Sequence, residues 1–377
     1  MATKKNPVKD PRKILIIRLS AIGDVVRTLP ALRALRQKYR SAFIAWVVED
    51  SSADLLSGHP DLDRVFVFKR SQWKRDVRSL SGVLSPAAQI VSVIREIRNE
   101  GFDLVLDFHG ILKSGLVSLL SGVPLRAGLD RRYVREANHL FNNYHVDVGS
   151  GAISRIERNL RFISFLGINE TDRYDPIIPI NDADRAAIDS FLSGHDLAGR
   201  VPLVAIHPGT SPKTLYKRWP PSSYAILADR LIEQLKVKII WTWGPGELDT
   251  VQDIVGHMHY DSVIAERVTL RQLAELFRRS TLFLGSDSGP MHIACFVKTP
   301  AVVIYGPTDP LVNAPYQQNR FIMLRKDVSC NPCRKRDCSR LDCMAAVTPD
   351  EVFNAAAELL SGVNAHTEGA AGRQVSP

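Results

Sequence analysis

Residues 284–310, Leu-Gly-Ser-Asp-Ser-Gly-Pro-Met-His-Ile-Ala-Cys-Phe-Val-Lys-Thr-Pro-Ala-Val-Val-Ile-Tyr-Gly-Pro-Thr-Asp-Pro, decide the fold class. The apolar run Thr281-Leu-Phe-Leu284 stops at a Gly-Ser-Asp-Ser-Gly turn. Helix-compatible residues begin at Met291, and a second apolar run, Ala301-Val-Val-Ile304, stops at Gly-Pro. Strand, polar loop, helix and strand make a βαβ unit, with hydroxyls, glycine and a carboxylate at the carboxyl edge of a sheet. Open α/β sheets bind ligands at that edge, and free N–H groups at a helix start favour anions. Ser, Asp and Gly are also ordinary capping and turn residues, so the local pattern alone leaves the structural and ligand-binding readings level.

The same alternation extends in both directions. Lys13-Ile-Leu-Ile-Ile-Arg18, Ala42–Val48 and Asp103–Asp107 read as strands, with a helix from Asp24 to Tyr39. Pro202–Ile206 and Val237–Trp241 read as strands around a helix near Ser222–Gln234. Continuous apolar strands separated by helices indicate parallel sheets covered on both faces. Two such halves, joined around Asp172–Asp196 where polar and turn-forming residues collect, make two Rossmann-like domains facing each other across a cleft. A last helix near Thr348–Leu360 precedes an Ala/Gly-rich polar tail, 362–377, expected to be disordered.

A chain of 377 residues exceeds one typical core, which agrees with two domains. Apolar content of 45% with 24% charge is ordinary for a globular protein. No run reaches the ~18–20 apolar residues of a spanning helix, and the N-terminus lacks a signal-peptide core, so a cytoplasmic protein is expected. A formal charge of +9 implies attraction to anions: nucleic acid, nucleotide phosphates or an anionic membrane face.

Five constellations carry chemistry. Ser20-Ala-Ile-Gly-Asp24 lies where the first strand turns into a helix. Asp24 there is a cap or a general base, and taken alone the cap is favoured. After the Pro202–Ile206 strand, His207-Pro-Gly-Thr-Ser-Pro-Lys-Thr-Leu-Tyr-Lys-Arg-Trp219 offers Gly209, the hydroxyls of Thr210 and Ser211, and the cations Lys213, Lys217 and Arg218. That set suits a diphosphate, although it matches neither the Walker loop nor Gly-x-Gly-x-x-Gly. Trp241-Thr-Trp-Gly-Pro-Gly-Glu247 ends another strand with a carboxylate that could hold ribose hydroxyls or simply open a helix.

The fourth constellation is basic: Arg64, Lys69, Arg70, Lys74, Arg75 and Arg78, with Arg126, Arg131, Arg132 and Arg135 as a second group. A phosphorylated or carboxylated acceptor suits Arg forks, while no nucleic-acid module accompanies them, so nucleic acid is not among the expected partners. The fifth is Cys330-x2-Cys333-x4-Cys338-x4-Cys343, four of the five cysteines. In a reducing compartment this is a candidate structural zinc site, although the spacing is not that of paired zinc ribbons. Cys295 reads as a core residue.

Together, Ser20–Asp24 with Leu29-Pro-Ala-Leu32, Asp107-Phe-His-Gly-Ile-Leu-Lys-Ser114, Lys217-Arg-Trp219, Asp287-Ser-Gly-Pro-Met-His292 and Tyr305-Gly-Pro-Thr-Asp-Pro310 resemble glycosyltransferase family 9, which contains the ADP-heptose:lipopolysaccharide heptosyltransferases of Gram-negative bacteria. The resemblance runs from about residue 12 to 361 with the motifs in the family's order. It implies a GT-B fold: residues 1–180 binding the acceptor, 181–348 binding the nucleotide sugar, and a helix over 349–361 crossing back to the first domain. It also implies inverting transfer of L-glycero-D-manno-heptose from ADP-heptose to the Kdo or heptose of a lipid A-core acceptor. No cofactor is then required for catalysis, and peripheral contact with the inner-membrane surface is expected.

Carried over by position, the resemblance makes Asp24 the catalytic carboxylate and Lys217 the diphosphate-contacting lysine. Thr210 and Ser211 fall in the phosphate loop, and Glu247 on the ribose-holding acid. Asp287 falls on the carboxylate bound to the sugar, and Ser288, Gly289 and His292 on the phosphate-contacting helix start. Lys113, Arg70, Arg75 and Arg135 fall in regions used for an acidic acceptor. The phosphate loop is longer than in heptosyltransferase I, and the four-cysteine segment is absent from that subgroup, whereas Arg126–Glu136 leans toward the type that adds the first heptose to Kdo. A GT-B transferase or epimerase for another nucleotide sugar, or a non-enzymatic nucleotide-binding protein, would share the donor cradle. A zinc-bearing nucleic-acid protein would explain charge and cysteines but not the ordered βα loops.

Overall fold

The computed structural model describes residues 10–70, 86–172, 174–316, 320–333, 335 and 337–371. The chain divides into two compact units, Met1–Pro179 and Ile180–Pro377. In the first, six parallel strands form one sheet: β1 (Lys13–Ile17), β2 (Phe43–Glu49), β3 (Arg64–Phe68), β4 (Leu104–Asp107), β5 (Leu125–Leu129) and β6 (Tyr144–Val146), in the order β3-β2-β1-β4-β5-β6. The central strand β1 is apolar throughout its last four residues because both sheet faces are covered. Its last residue, Ile17, lies in register with Val47 on one side and Asp107 on the other.

The second unit repeats the plan with β7 (Leu203–His207), β8 (Lys238–Trp241), β9 (Val263–Ile264), β10 (Leu282–Ser286), β11 (Ala301–Tyr305) and β12 (Phe321–Arg325), ordered β12-β11-β10-β7-β8-β9. Strand order therefore reverses between β1 and β4 in one unit and between β7 and β10 in the other. A crevice opens beyond the carboxyl ends of the strands at such a point, and ligands bind there in folds of this class. Both sheets are parallel in every pairing, as the uninterrupted apolar runs require.

Three expectations change. The helix from Asp24 to Tyr39 is two, Ile22–Val26 and Leu29–Lys38. The break falls before Pro30, which has no N–H to continue a helix and sits well in the first turn of a new one. The expected linker, 172–196, contains the helix Asp182–Gly194, started by a reciprocal Asn181–Asp184 cap, with Ile188 and Leu192 buried and the helix packed on Leu270–Arg279. Its many acids masked a narrow apolar stripe. The last helix runs Pro349–Ala371, beyond the residue 361 boundary and into the expected tail. Its buried residues Val352, Ala356, Leu359 and Leu360 lie in the core of the second unit, beside Pro221–Leu235 and strand β11.

Candidate functional site

In the first unit the chemistry collects at the carboxyl ends of β1 and β4. Asp24 stands in the first turn of the short helix after β1. Its Oδ2 is 2.6 Å from Arg18 Nη2, and its Oδ1 is 2.7 Å from Arg27 Nη2 and 3.0 Å from Arg155 Nη1. Each arginine is itself positioned. Arg18 Nη1 donates to the Phe108 carbonyl at 2.5 Å, and Arg27 Nε to the Gly23 carbonyl at 3.1 Å. Arg155 belongs to the helix Arg155–Ile163, which Asn159 ties to Arg27 and Thr28 and whose Phe162 stacks edge-on to Phe108.

Burial alone would raise the Asp24 pKa, but Arg18, Arg27 and Arg155 outweigh it and hold the carboxyl well below its usual range. A fourth guanidinium, Arg158, is pushed down to about 10 by burial and by Arg155 and Arg18. Four guanidiniums around one carboxylate leave positive charge in excess. His109 completes the group: its Nδ1 accepts from the Leu19 N–H at 3.1 Å, which puts the ring proton on Nε2. Burial, aided by Arg18, pushes its pKa down to about 3, so the ring is neutral. Sequence reading singled out Asp24 alone. Arg18 at a strand end and Arg155/Arg158 one helical turn apart carried no motif.

The acceptor-side candidates separate. Arg70 and Lys113 both reach Glu49, at 3.2 Å and 3.9 Å. Arg135 is exposed and its backbone N–H donates to the Gly110 carbonyl at 2.9 Å. Arg75 lies outside the described residues.

In the second unit the predicted donor residues do gather. Gly285 of β10 is in register with His207 of β7, so the two loops leave the sheet side by side. Asp287 Oδ2 receives Lys217 Nζ at 2.7 Å and the Thr308 hydroxyl at 2.8 Å. His292 Nε2 is 3.9 Å from the other oxygen. Lys217 is held there by its neighbour Trp219, which is buried, packs edge-on against Tyr224 and donates to the Val347 carbonyl at 2.8 Å. Burying a side chain of that size contributes roughly 2–3 kcal/mol toward fixing the loop that carries the lysine. Ser288 precedes the helix Gly289–Phe296, and its buried hydroxyl has no hydrogen-bond partner among the described residues, although N-cap side chains usually bond the helix start.

Glu247 forms the second half of this site. Its Oε2 accepts from the Gly244 N–H at 2.7 Å and lies 3.4 Å from His207 Nε2, and Arg218 Nη2 is 3.9 Å from Oε1. Burial opposes ionisation, but His207, the Gly244 N–H and Arg218 prevail and lower its pKa. Gly209 is required here: a Cβ would stand 2.1 Å from Glu247 Oε2. Arg218 also donates to the Thr210 carbonyl at 2.9 Å, and the Thr210 hydroxyl donates to Thr214 O at 2.9 Å. Ser211 O accepts from the Thr214 N–H at 2.8 Å, closing the loop. His207 and Thr308 are additions to the residues singled out from sequence, and Arg218, read there as a diphosphate cation, faces Glu247 instead.

The cysteines Cys330, Cys333, Cys338 and Cys343 line one small pocket with Tyr216 and Pro307. Burial raises the Cys343 thiol, and the other three raise it further. Among the described residues no group of three or more His, Cys, Asp or Glu side chains is arranged to hold a metal ion. The four thiols, the candidate zinc ligands, share one pocket. Cys295 is buried in the second unit, as expected.

The chain is 27% identical over 311 residues to the lipopolysaccharide core heptosyltransferase OpsX of Haemophilus influenzae, covering 81% of this chain and 82% of that protein. It is 26% identical over 332 residues to lipopolysaccharide heptosyltransferase 1 of Pseudomonas aeruginosa, covering 87% of each. The structure of the Escherichia coli heptosyltransferase WaaC with ADP-2-deoxy-2-fluoro heptose superposes with a TM-score of 0.69 at 22% identity, covering 92% of this chain and 99% of that one, a likeness of fold and thus of the GT-B architecture. The model of glycosyltransferase family 9 (heptosyltransferase) matches residues 90–344, and the chain belongs to that family and is a glycosyltransferase.

Proposed function

We propose that the protein transfers L-glycero-D-manno-heptose from ADP-heptose to the Kdo of a lipid A-core acceptor with inversion, Asp24 acting as general base. The observation that carries the reading is the excess of guanidinium charge around an ionised Asp24 at the β1/β4 switch point. A base that works beside surplus cations suits an acceptor bearing its own carboxylate or phosphate next to the reacting hydroxyl. Arg155 and Arg158 bind that anion, and drawing guanidiniums away from Asp24 raises its basicity as the acceptor seats. Asp24 then takes the hydroxyl proton while the oxygen attacks the anomeric carbon.

On the donor side Lys217 and the free N–H groups at the start of Gly289–Phe296 stabilise the charge that develops on departing ADP. Ser288 supplies a hydroxyl to the same phosphates, Glu247 holds the ribose and Asp287 the heptose hydroxyls. The relatives' names support a heptosyl donor, and the fluoro-heptose nucleotide in WaaC supports ADP as its carrier. The test is transfer from ADP-heptose to Kdo-bearing lipid A, run beside a mono-heptosylated acceptor, with product read by mass spectrometry. Heptose on the first acceptor is the expected result. Product on the second alone would move the acceptor one sugar outward, and failure to bind any nucleoside diphosphate by calorimetry would sink the transferase assignment.

A further inference from the structure

The helix Leu112–Leu120 is built inside out. Its inward residues are Ser114, Gly115, Val117 and Ser118, of which only Val117 is a sizeable apolar side chain, while Leu112, Leu116, Leu119 and Leu120 are each about two-fifths exposed. The inward polarity has a local cause. The Ser114 hydroxyl donates to buried Asp107 at 3.0 Å, the Ser118 hydroxyl donates to Asn142 at 2.7 Å, and Gly115 admits Phe141 and Asn138, whose atoms a Cβ would meet at 2.7 Å and 3.0 Å. The outward leucines have no such cause. Positions i, i+4, i+7 and i+8 fall on one helical face, and Leu140, 72% exposed, lies on the short turn packed against the same helix. Four half-exposed leucines on one face of a single helix mark an interaction surface rather than ordinary scatter.

The charge around it selects the partner. Lys113 is exposed on the same helix, Arg98 donates to the Leu120 carbonyl at 2.7 Å at its C-terminal end, and exposed Arg135 bonds Gly110 just before its start. Two acids face these cations: Glu136, whose carboxylate accepts from the Leu112 N–H at 3.3 Å, and the largely buried Glu49, 3.9 Å from Lys113. Leucines ringed by cations are the composition of a face that lies in the headgroup boundary of an anionic bilayer. Among the described residues no helix is long and apolar enough to cross a membrane, so such a face is a means of holding the chain at one.

We propose that the Leu112–Leu120 face, with Leu140, docks on an anionic phospholipid surface. The inference deepens the transferase reading, since a lipid-linked acceptor is presented there, but its test uses neither acceptor nor donor. The full chain is co-sedimented with vesicles of phosphatidylcholine alone and of phosphatidylcholine with phosphatidylglycerol. Binding is expected with the anionic vesicles and to fall as salt rises. The triple variant Leu116→Gln, Leu119→Gln, Leu120→Gln should lose about tenfold or more in partition, since these side chains are the apolar area immersed. Ile226→Gln and Leu311→Gln, exposed apolar positions of the second unit, should bind as the parent does. Circular dichroism and ADP titration of the triple variant check that its fold persists. Undiminished vesicle binding by a folded triple variant would overturn the proposal. So would a parent that forms dimers which the triple variant dissolves, with vesicle binding unaltered, because the face would then cover a second copy of the chain. Vesicle binding without any transfer activity would leave this inference standing and remove the transferase reading.

Discussion

Lys217 and Asp287, seventy residues apart, meet at 2.7 Å in a largely buried ion pair that Thr308 completes from a third loop. The cation assigned to the leaving diphosphate is therefore also the counter-ion of the sugar-holding carboxylate. Lys217→Met leaves that carboxylate buried without its cation and should cost about 1–3 kcal/mol in urea unfolding, below the usual 3–5 kcal/mol because Thr308 remains. Adding Asp287→Asn should recover part of the loss. Simple additivity of the two changes would show that the pair is not coupled.

Asp24→Asn keeps the shape of the site and removes its basicity. The expected result is a fall of about 10²–10⁴ in kcat with ADP affinity within twofold of the parent, read by calorimetry. Activity near the parental level in the folded variant rules Asp24 out as base.

Two depressed pKa values predict different pH behaviour. Asp24 is held well below its usual range, so kcat/KM should show no acid limb from it between pH 5 and 9. His109 titrates near 6.5 when unfolded and is pushed down to about 3 when folded. Above 6.5 neither state binds a proton on this ring. As pH falls below 6.5 the unfolded chain gains one that the folded chain refuses, so stability declines toward pH 3. His109→Gln should flatten that decline by an amount on the order of a few kcal/mol, measured by denaturant midpoints across the range.

Gly209→Ala tests the ribose side. The new methyl group would overlap Glu247 Oε2, so either the loop or the carboxylate must shift. An overpacking cost of about 1–3 kcal/mol is expected, with weaker ADP binding and little change for a nucleotide lacking ribose hydroxyls. Equal loss for both nucleotides would show that Glu247 does not serve the ribose.

The central strands of each sheet and the second unit's βα loops were legible because each rests on local pattern, whereas outer strands such as Arg64–Phe68 and Leu125–Leu129 were hidden among basic residues. The runs at Lys13–Ile17 and Ala301–Tyr305 are too apolar for anything but covered parallel strands, and Asp287-Ser-Gly-Pro follows its strand without interruption. The surroundings of Asp24 were not legible. Arg18, Arg27, Arg155 and His109 come from four separate segments, and it takes the β1/β4 pairing, the Asn159 bonds to Arg27 and Thr28 and the Phe108–Phe162 contact to bring them together. The helix Asp182–Gly194 escaped notice because two buried apolar residues among many polar ones make a weak periodic signal. Composition put solvent-exposed leucines out of reach as well: a leucine-rich helix reads as core until Ser114 is seen bonded to buried Asp107 and Ser118 to Asn142.

The two units share one strand order, each closing its own ladder and placing its reactive loops at its own point of reversal. That makes the protein divisible in a genetic sense. On the proposed roles, changes around β7 and β10 would retune which activated sugar is accepted without touching the register that holds Asp24, and changes around β1 and β4 would redirect the sugar to a new hydroxyl with the proposed nucleotide cradle inherited intact. Chimeras joined near Pro179 are the natural currency of such a lineage, and a recombinant that keeps each sheet whole should fold whichever relative supplies the other half.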